Sequence, residues 1–197
     1  MYTVVGTLTS RAFRVLWMLE ELGQPYIQIA AKPQSEEVRA HNVHGKIPVL
    51  LDEDHAISDS TAIVTYLADK HGALSAPAGT LERAQQDAMT QRILDEFDAC
   101  LWSAARHSFV LPAEKRVPAV KETLKWEFAR AETALVHDLR DKPFLMGEQI
   151  SVPDIILTHC LGWAITAKFG ISEPVLSEYL NRMKVRDAYQ QARAKAA

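Results

Sequence analysis

A chain of 197 residues with 48% hydrophobic content has enough apolar side chains to bury one large core or two small ones. Its formal net charge of −3 comes from 22 basic and 25 acidic residues scattered along the chain, so no basic stripe marks a nucleic-acid or anionic-membrane partner. No apolar run approaches the ~18 residues needed to cross a bilayer, the first residues lack the regions of an export signal, and two cysteines make no disulfide framework. A globular protein of the reducing cytoplasm, with no membrane and no nucleic acid among its partners, is expected.

Residues Tyr2 to Val5 read as a short buried strand. Residues 11–22 then place Phe13, Leu16, Trp17 and Leu19 at helical spacing, and Gly23 stops the helix. "PYIQIA", residues 25–30, alternates apolar and polar as a second strand, so the opening unit reads β-α-β with a parallel pair. The polar stretch "AKPQSEEVRAHNVHGK" is unsuited to a core strand. Residues 47–58 set two apolar runs on either side of the acidic turn at 52–54, a hairpin signal, and "DSTAIVTYLADKHG" follows as a helix with Ser60 as N-cap and Gly72 past its end.

Residues 72–80, "GALSAPAGT", are small and without periodicity and form the expected linker. Beyond Leu81 the pattern is helical throughout. Ile93, Phe97 and Leu101 mark one long amphipathic helix, and Val120, Leu124, Phe128, Ala131, Leu135 and Leu139 mark another, with Pro112 and Pro118 breaking the chain between them. Ser151 and Asp154 stand three apart as a capping box opening a third helix, and a last helical region runs from about Pro174 to the C-terminus. Cys100 and Cys160 fall within helical patterns and are expected as small buried apolar residues. His41, His44 and His55 lie close in sequence, but without Cys partners they give no metal site. No G-x-S-x-G elbow surrounds Ser10, which excludes a serine acyl nucleophile of that type.

Three segments, "TSRAFRVLWMLEELG", "GKIPVL" with "ISDSTAI", and "FLMGEQISVPDIIL", come in an order and spacing that resembles the cytosolic glutathione transferases, serine-type bacterial members in particular. The likeness spans nearly the whole chain. It departs at Val43 and His44, where the family often has Asn-Pro ahead of Gly-Lys, and at Asp59, which stands for the commoner Glu. The fold class implied is α/β plus all-α: an N-terminal thioredoxin-like βαβ-ββα domain at residues 1–75 and an all-helical C-terminal domain at residues 82–197.

The resemblance implies a transferase that conjugates the thiolate of glutathione, a co-substrate, to a small hydrophobic electrophile, in a detoxifying homodimer that needs no metal. It implies a cis peptide bond at Ile47-Pro48, which turns the Ile47 backbone outward to pair with the cysteinyl backbone of glutathione as an added strand. Asp59 and Ser60 open a helix, whose free N–H groups and positive dipole end suit the γ-glutamyl carboxylate, while Asp59 pairs with the ammonium. Lys46 and Arg11, with Lys32 as a further candidate, are available for the glycyl carboxylate.

The chain need supply no sulfur of its own, only stabilisation. A free thiol has a pKa near 8.5, and lowering it by two units takes about 2.7 kcal/mol. A hydrogen bond to a charged group contributes ~1.5 to 3 kcal/mol and a helix dipole ~0.3 to 1 kcal/mol, so one hydroxyl at a helix N-terminus suffices. Ser10 is the first candidate for that hydroxyl and Thr9 the second, while Thr7 belongs to the strand end; a cap uses only the oxygen's lone pair and leaves the proton free. The electrophile is expected between the domains, near Leu8, Trp102, Arg106 and Trp163. Two other readings stay open: a glutathione-transferase-like binding or regulatory protein with little or no catalysis, and a glutathione-dependent peroxidase or reductase.

Overall fold

The computed structural model describes residues 1–195. Its chain divides into two compact units, the first made of Met1–Thr80 together with the segment that starts at Lys184, the second of Leu81–Met183.

The first unit is built on four short strands: β1 (Tyr2–Val5), β2 (Tyr26–Ile29), β3 (Val49–Asp52) and β4 (His55–Ser58), in the order β2-β1-β3-β4. β1 and β2 run parallel with Tyr2 opposite Tyr26, and β3 lies antiparallel to β1 with Val5 opposite Val49. The connection between the parallel pair is α1 (Ala12–Glu21), the β-α-β unit read from the sequence. β3 and β4 form the expected hairpin, with Asp52 paired to His55 and Glu53 in the left-handed region at φ 53°.

Alternation along the strands divides the apolar side chains between two faces. Val5 and Val49 join Ala31 and Val38 in one small core, with Ile47 and Leu51 against it. Val38 belongs to a one-turn helix, α2 (Glu36–Arg39), inside the polar stretch; one buried side chain in a turn of charged residues gives no periodic signal. Val4 and Leu50 serve the opposite face, packed by α1 and α3 (Ser60–His71). The far end of α3 is tied to the sheet through polar groups. Tyr66 donates to Asp52 at 2.6 Å, Lys70 pairs with Asp52, and the Tyr2 hydroxyl meets His71 Nε2 at 2.9 Å.

Every residue of α1 from Ala12 to Leu19 is buried, more than a sheet-facing stripe requires. Its outer face is covered by α9 (Asp187–Ala194), whose Tyr189 ring sits edge-on to Phe13 at 4.9 Å and to Trp17 at 5.1 Å. Arg186 grips Glu21 with two hydrogen bonds of 2.7 and 2.8 Å, and Lys195 pairs with Glu20 at 2.7 Å. The last helical region, expected within the all-helical domain at residues 82–197, is two helices, α8 (Pro174–Lys184) and α9, and α9 packs within the first unit. Helical spacing fixes which face is apolar but not which core receives it. Residues 196 and 197 of that expected region lie outside the described residues.

The second unit opens with α4 (Leu81–Ile93), which continues through a π-helical turn (Leu94–Asp98), α5 (Ala99–Ala105) and a second π turn (Arg106–Val110). The chain then breaks over Pro112 to Pro118 as expected, and α6 (Val120–Leu139) and α7 (Val152–Thr166) follow. Phe128 of α6 bridges Phe97 and Phe169 through edge-on contacts of 5.1 and 5.5 Å. The Ser151–Asp154 capping box is present, and fully buried Asp154 also accepts from Leu145 N–H at 2.8 Å and the Tyr179 hydroxyl at 2.7 Å. No helix among the described residues is long and apolar enough to cross a membrane.

Candidate glutathione-binding site

Three loops at one end of the sheet carry the residues singled out by sequence. Gly6 ends β1 at φ 151°, with its N–H bonded to the Ile29 carbonyl at 2.9 Å and its carbonyl accepting from Gln28 Nε2 at 3.0 Å. A Cβ on Gly6 would lie 2.9 Å from the Ala12 Cβ and 3.3 Å from the Ile47 Cβ. Only a residue without a side chain therefore lets the start of α1 and the Ile47-Pro48 turn close on the same strand end.

At the first of these, the N-cap position of α1 is Arg11, which makes no side-chain cap bond, and Ser10, one residue ahead of that position, accepts the Ala12 N–H on its Oγ at 3.1 Å. The same hydroxyl donates its proton to the Thr7 carbonyl at 2.7 Å, so that proton is not left free as the capping argument holds. The Thr7 carbonyl also receives the Ser10 N–H at 3.1 Å and so keeps a partner when the hydroxyl turns away. Thr9 is exposed, and its hydroxyl has no hydrogen bond among the described residues. Arg11 is half-buried at the head of α1.

The Ile47-Pro48 peptide is cis. Among the described residues, no hydrogen bond engages the Ile47 N–H or C=O. The segment ahead of it is held by its own polar groups: Asn42 Nδ2 donates to the Lys46 carbonyl at 3.0 Å, and Gln34 Nε2 to the His44 carbonyl at 3.0 Å. The side chains of Lys46 and Lys32 are exposed.

At the head of α3 the roles differ from the sequence reading. Asp59, not Ser60, is the N-cap: its Oδ1 accepts the N–H groups of Thr61 at 2.8 Å and Ala62 at 3.1 Å, and Ile63 N–H goes to the Asp59 carbonyl at 2.9 Å. Both residues are helix-capping types, and the backbone turns one residue earlier than the hydroxyl pattern suggests. Asp59 sits at φ 75°, ψ 124°, a conformation that costs a non-glycine residue ~1 to 3 kcal/mol. Of the first four amides of α3, only that of Ser60 has no partner among the described residues. Ser60 is 2% exposed, and its Oγ accepts from Arg14 Nη1 at 3.3 Å, so the hydroxyl proton is directed away from the guanidinium. The Asp59 Oδ2 is likewise unclaimed among the described residues.

The site thus offers an unclaimed amide with a hydroxyl at one helix head, a second hydroxyl just ahead of another, and an unpaired peptide edge between, with a carboxylate oxygen and exposed lysines nearby. Gly6 and Arg14 were not legible as parts of it. An arginine in a helix otherwise read as amphipathic passes for a surface charge, and nothing in "VVGTL" shows that the glycine is hemmed in. No protein thiol competes: Cys160 is buried, and burial with the neighbouring Glu127 carboxylate pushes the Cys100 thiol up to about 12.

This arrangement is that of a thioredoxin-like domain with unpaired polar groups gathered at one end of its sheet. Residues 5–77 match the family model for the glutathione S-transferase N-terminal domain. The chain is 29% identical over 170 residues to glutathione S-transferase U17 of Arabidopsis thaliana, covering 84% of this chain and 73% of that one. It is also 27% identical over 152 residues to elongation factor 1-gamma of Trypanosoma cruzi, covering 75% of this chain and 35% of that one. Among solved structures, a glutathione transferase from Methylococcus capsulatus superposes with a TM-score of 0.86 at 24% identity, over 100% of this chain and 98% of the other. Residues 5–77 therefore form a glutathione S-transferase N-terminal domain, and the chain as a whole is similar to glutathione transferases in sequence and fold.

Proposed function

We propose that this protein is a glutathione transferase in which Ser10 stabilises the thiolate of bound glutathione for attack on a small hydrophobic electrophile. The observation that carries the reading is the unclaimed Ser60 amide beside a hydroxyl whose lone pair Arg14 occupies. Both donors suit the γ-glutamyl carboxylate, at a helix N-terminus that favours an anion. The Asp59 Oδ2 takes the ammonium while Oδ1 keeps capping α3. The Ile47 N–H and C=O pair with the cysteinyl backbone, and Pro48 fixes that edge. Lys46 and Arg11 are assigned to the glycyl carboxylate.

Thiolate stabilisation requires the Ser10 hydroxyl to leave the Thr7 carbonyl. That exchange gives up one neutral hydrogen bond, about 0.5 to 1.5 kcal/mol, for one to a charged sulfur, about 1.5 to 3 kcal/mol. The α1 dipole adds ~0.3 to 1 kcal/mol, and together these lower the thiol pKa by about one to two units. Ser10 acts only as a donor: the thiol proton passes to solvent and the sulfur forms its bond to the electrophile, with the leaving group departing in a substitution or a proton taken up from solvent in an addition.

Retention on immobilised glutathione, with turnover of a generic aryl halide lost in Ser10→Ala and kept in Thr9→Ala, is the result expected. The opposite pattern assigns the role to Thr9. The likeness to an elongation factor subunit favours the second reading, a glutathione-transferase-like binding protein, which gains if glutathione is retained but no electrophile is turned over. A homodimer in the cytoplasm, with a detoxifying role, completes the proposal; two unbridged buried cysteines accord with a reducing compartment.

A further inference from the structure

In the second unit, the second π turn and the head of α6 border a half-open hollow of about 490 Å³ lined by Ala104, His107, Ser108, Ala113, Arg116, Pro118 and Lys121. Its three basic side chains are each half-buried, and no carboxylate lines it. Arg116 is fixed by donating to the carbonyls of Leu111 at 2.7 Å and Phe109 at 3.1 Å, acceptors that orient the guanidinium without neutralising it. His107 Nδ1 accepts the Val117 N–H at 3.1 Å. Its other nitrogen, Nε2, is therefore the one that carries hydrogen in the neutral ring and is a donor in either protonation state. The nearest carboxylate along α6, Glu122, is engaged by Lys125 at 3.1 Å.

Gathering basic groups around one hollow with no acid among them raises the local positive potential, which an anion of matching shape relieves. We propose that this hollow binds a phosphate group, presented by a compact phosphate monoester. Three separate donors, Lys121 Nζ, His107 Nε2–H and the outward edge of the Arg116 guanidinium, suit the three equivalent terminal oxygens of a monoester better than the two of a carboxylate. A bare tetrahedral anion fills only part of the volume, and Ala104, Ala113 and Pro118 offer small apolar walls to the esterified group. All of these residues belong to one unit, so the inference does not depend on the glutathione reading.

The test is calorimetric titration of the full chain with inorganic phosphate and with phenyl phosphate, against chloride at equal ionic strength, while the His107 ring resonances are followed by NMR. Saturable binding of phenyl phosphate, with the His107 signals moving to the same midpoint, is expected, and Lys121→Glu should weaken it at least tenfold while Lys121→Arg stays within about threefold. Equal affinity for inorganic phosphate identifies a bare oxyanion as sufficient and supports the site. Absence of saturable binding for both probes overturns the proposal. So does unchanged affinity in Lys121→Glu, whose folding is verified by its thermal transition; Lys121→Ala supplies the same comparison if the charge reversal does not fold.

Discussion

Removing the Ser10 hydroxyl tests the chemistry most directly, because Ser10→Ala deletes a donor to the sulfur and an acceptor for the Ala12 N–H together. Counted as a helix cap, that acceptor is worth about 0.5 to 2 kcal/mol of stability, too little to unfold a domain of ordinary stability. The α1 dipole stays, so the sulfur loses only the hydrogen-bond share, about one unit of pKa depression, and below both pKa values the thiolate fraction falls roughly tenfold. Each remaining thiolate is the stronger nucleophile, since reactivity rises with pKa with a Brønsted slope of ~0.4 to 0.5. The two effects combine to a loss in kcat/KM of roughly three- to fourfold near pH 6.5, and above pH ~9 the variant should equal or exceed the parent. The assay is the pH–rate profile for conjugation of an aryl halide, run beside the ultraviolet absorbance of the bound thiolate. A Ser10→Ala profile that superposes on the parent's, or a uniform loss at every pH, would refute thiolate stabilisation by this hydroxyl.

Asp59→Gly should separate stability from binding: glycine relieves the φ 75° conformation at a capping loss of only a few tenths of a kcal/mol, so the denaturation midpoint holds or rises while the KM for glutathione increases severalfold. Gly6→Ala forces a methyl to 2.9 Å from the Ala12 Cβ at φ 151° and should lower stability by more than ~1 kcal/mol in urea denaturation, with glutathione retention falling in step. Lys70 and the Tyr66 hydroxyl hold the Asp52 carboxyl below its ordinary range. Its contribution to stability is present above the unfolded value of ~3.9 and is lost as pH falls through the lower folded value; the acid limb of urea midpoint against pH should therefore flatten in Lys70→Met.

Local signals carried much of the fold. The two periods of "TVVGTLTSRAFRVLWMLEELG" place β1 and α1 to within a residue, and the 3,4 spacing from Val120 to Leu139 matches the ends of α6. The α2 turn escaped because a single buried valine has no period, and the destination of α9 escaped because amphipathicity does not name a partner. In the candidate site, the capping motifs and Ile47-Pro48 were legible, while the division of labour was not. That Asp59 caps and Ser60 presents its amide depends on one backbone torsion, and that the Ser10 proton rests on Thr7 depends on a carbonyl three residues back. The buried Arg14 was hidden for the same reason as α9: its partner is distant in sequence.

The return of α9 to α1 makes the unit that holds the sheet discontinuous in sequence. During synthesis, the strands, α1 and α3 emerge early, yet the rings of Phe13 and Trp17 keep one side bare until Tyr189 has been made, more than a hundred and fifty residues later. The nascent N-terminal half is thus an apolar surface waiting for its cover, and its maturation is timed by the translation of the helical insert. A tag or truncation that disturbs α9 acts, by the same logic, on α1, the helix that Ser10 precedes.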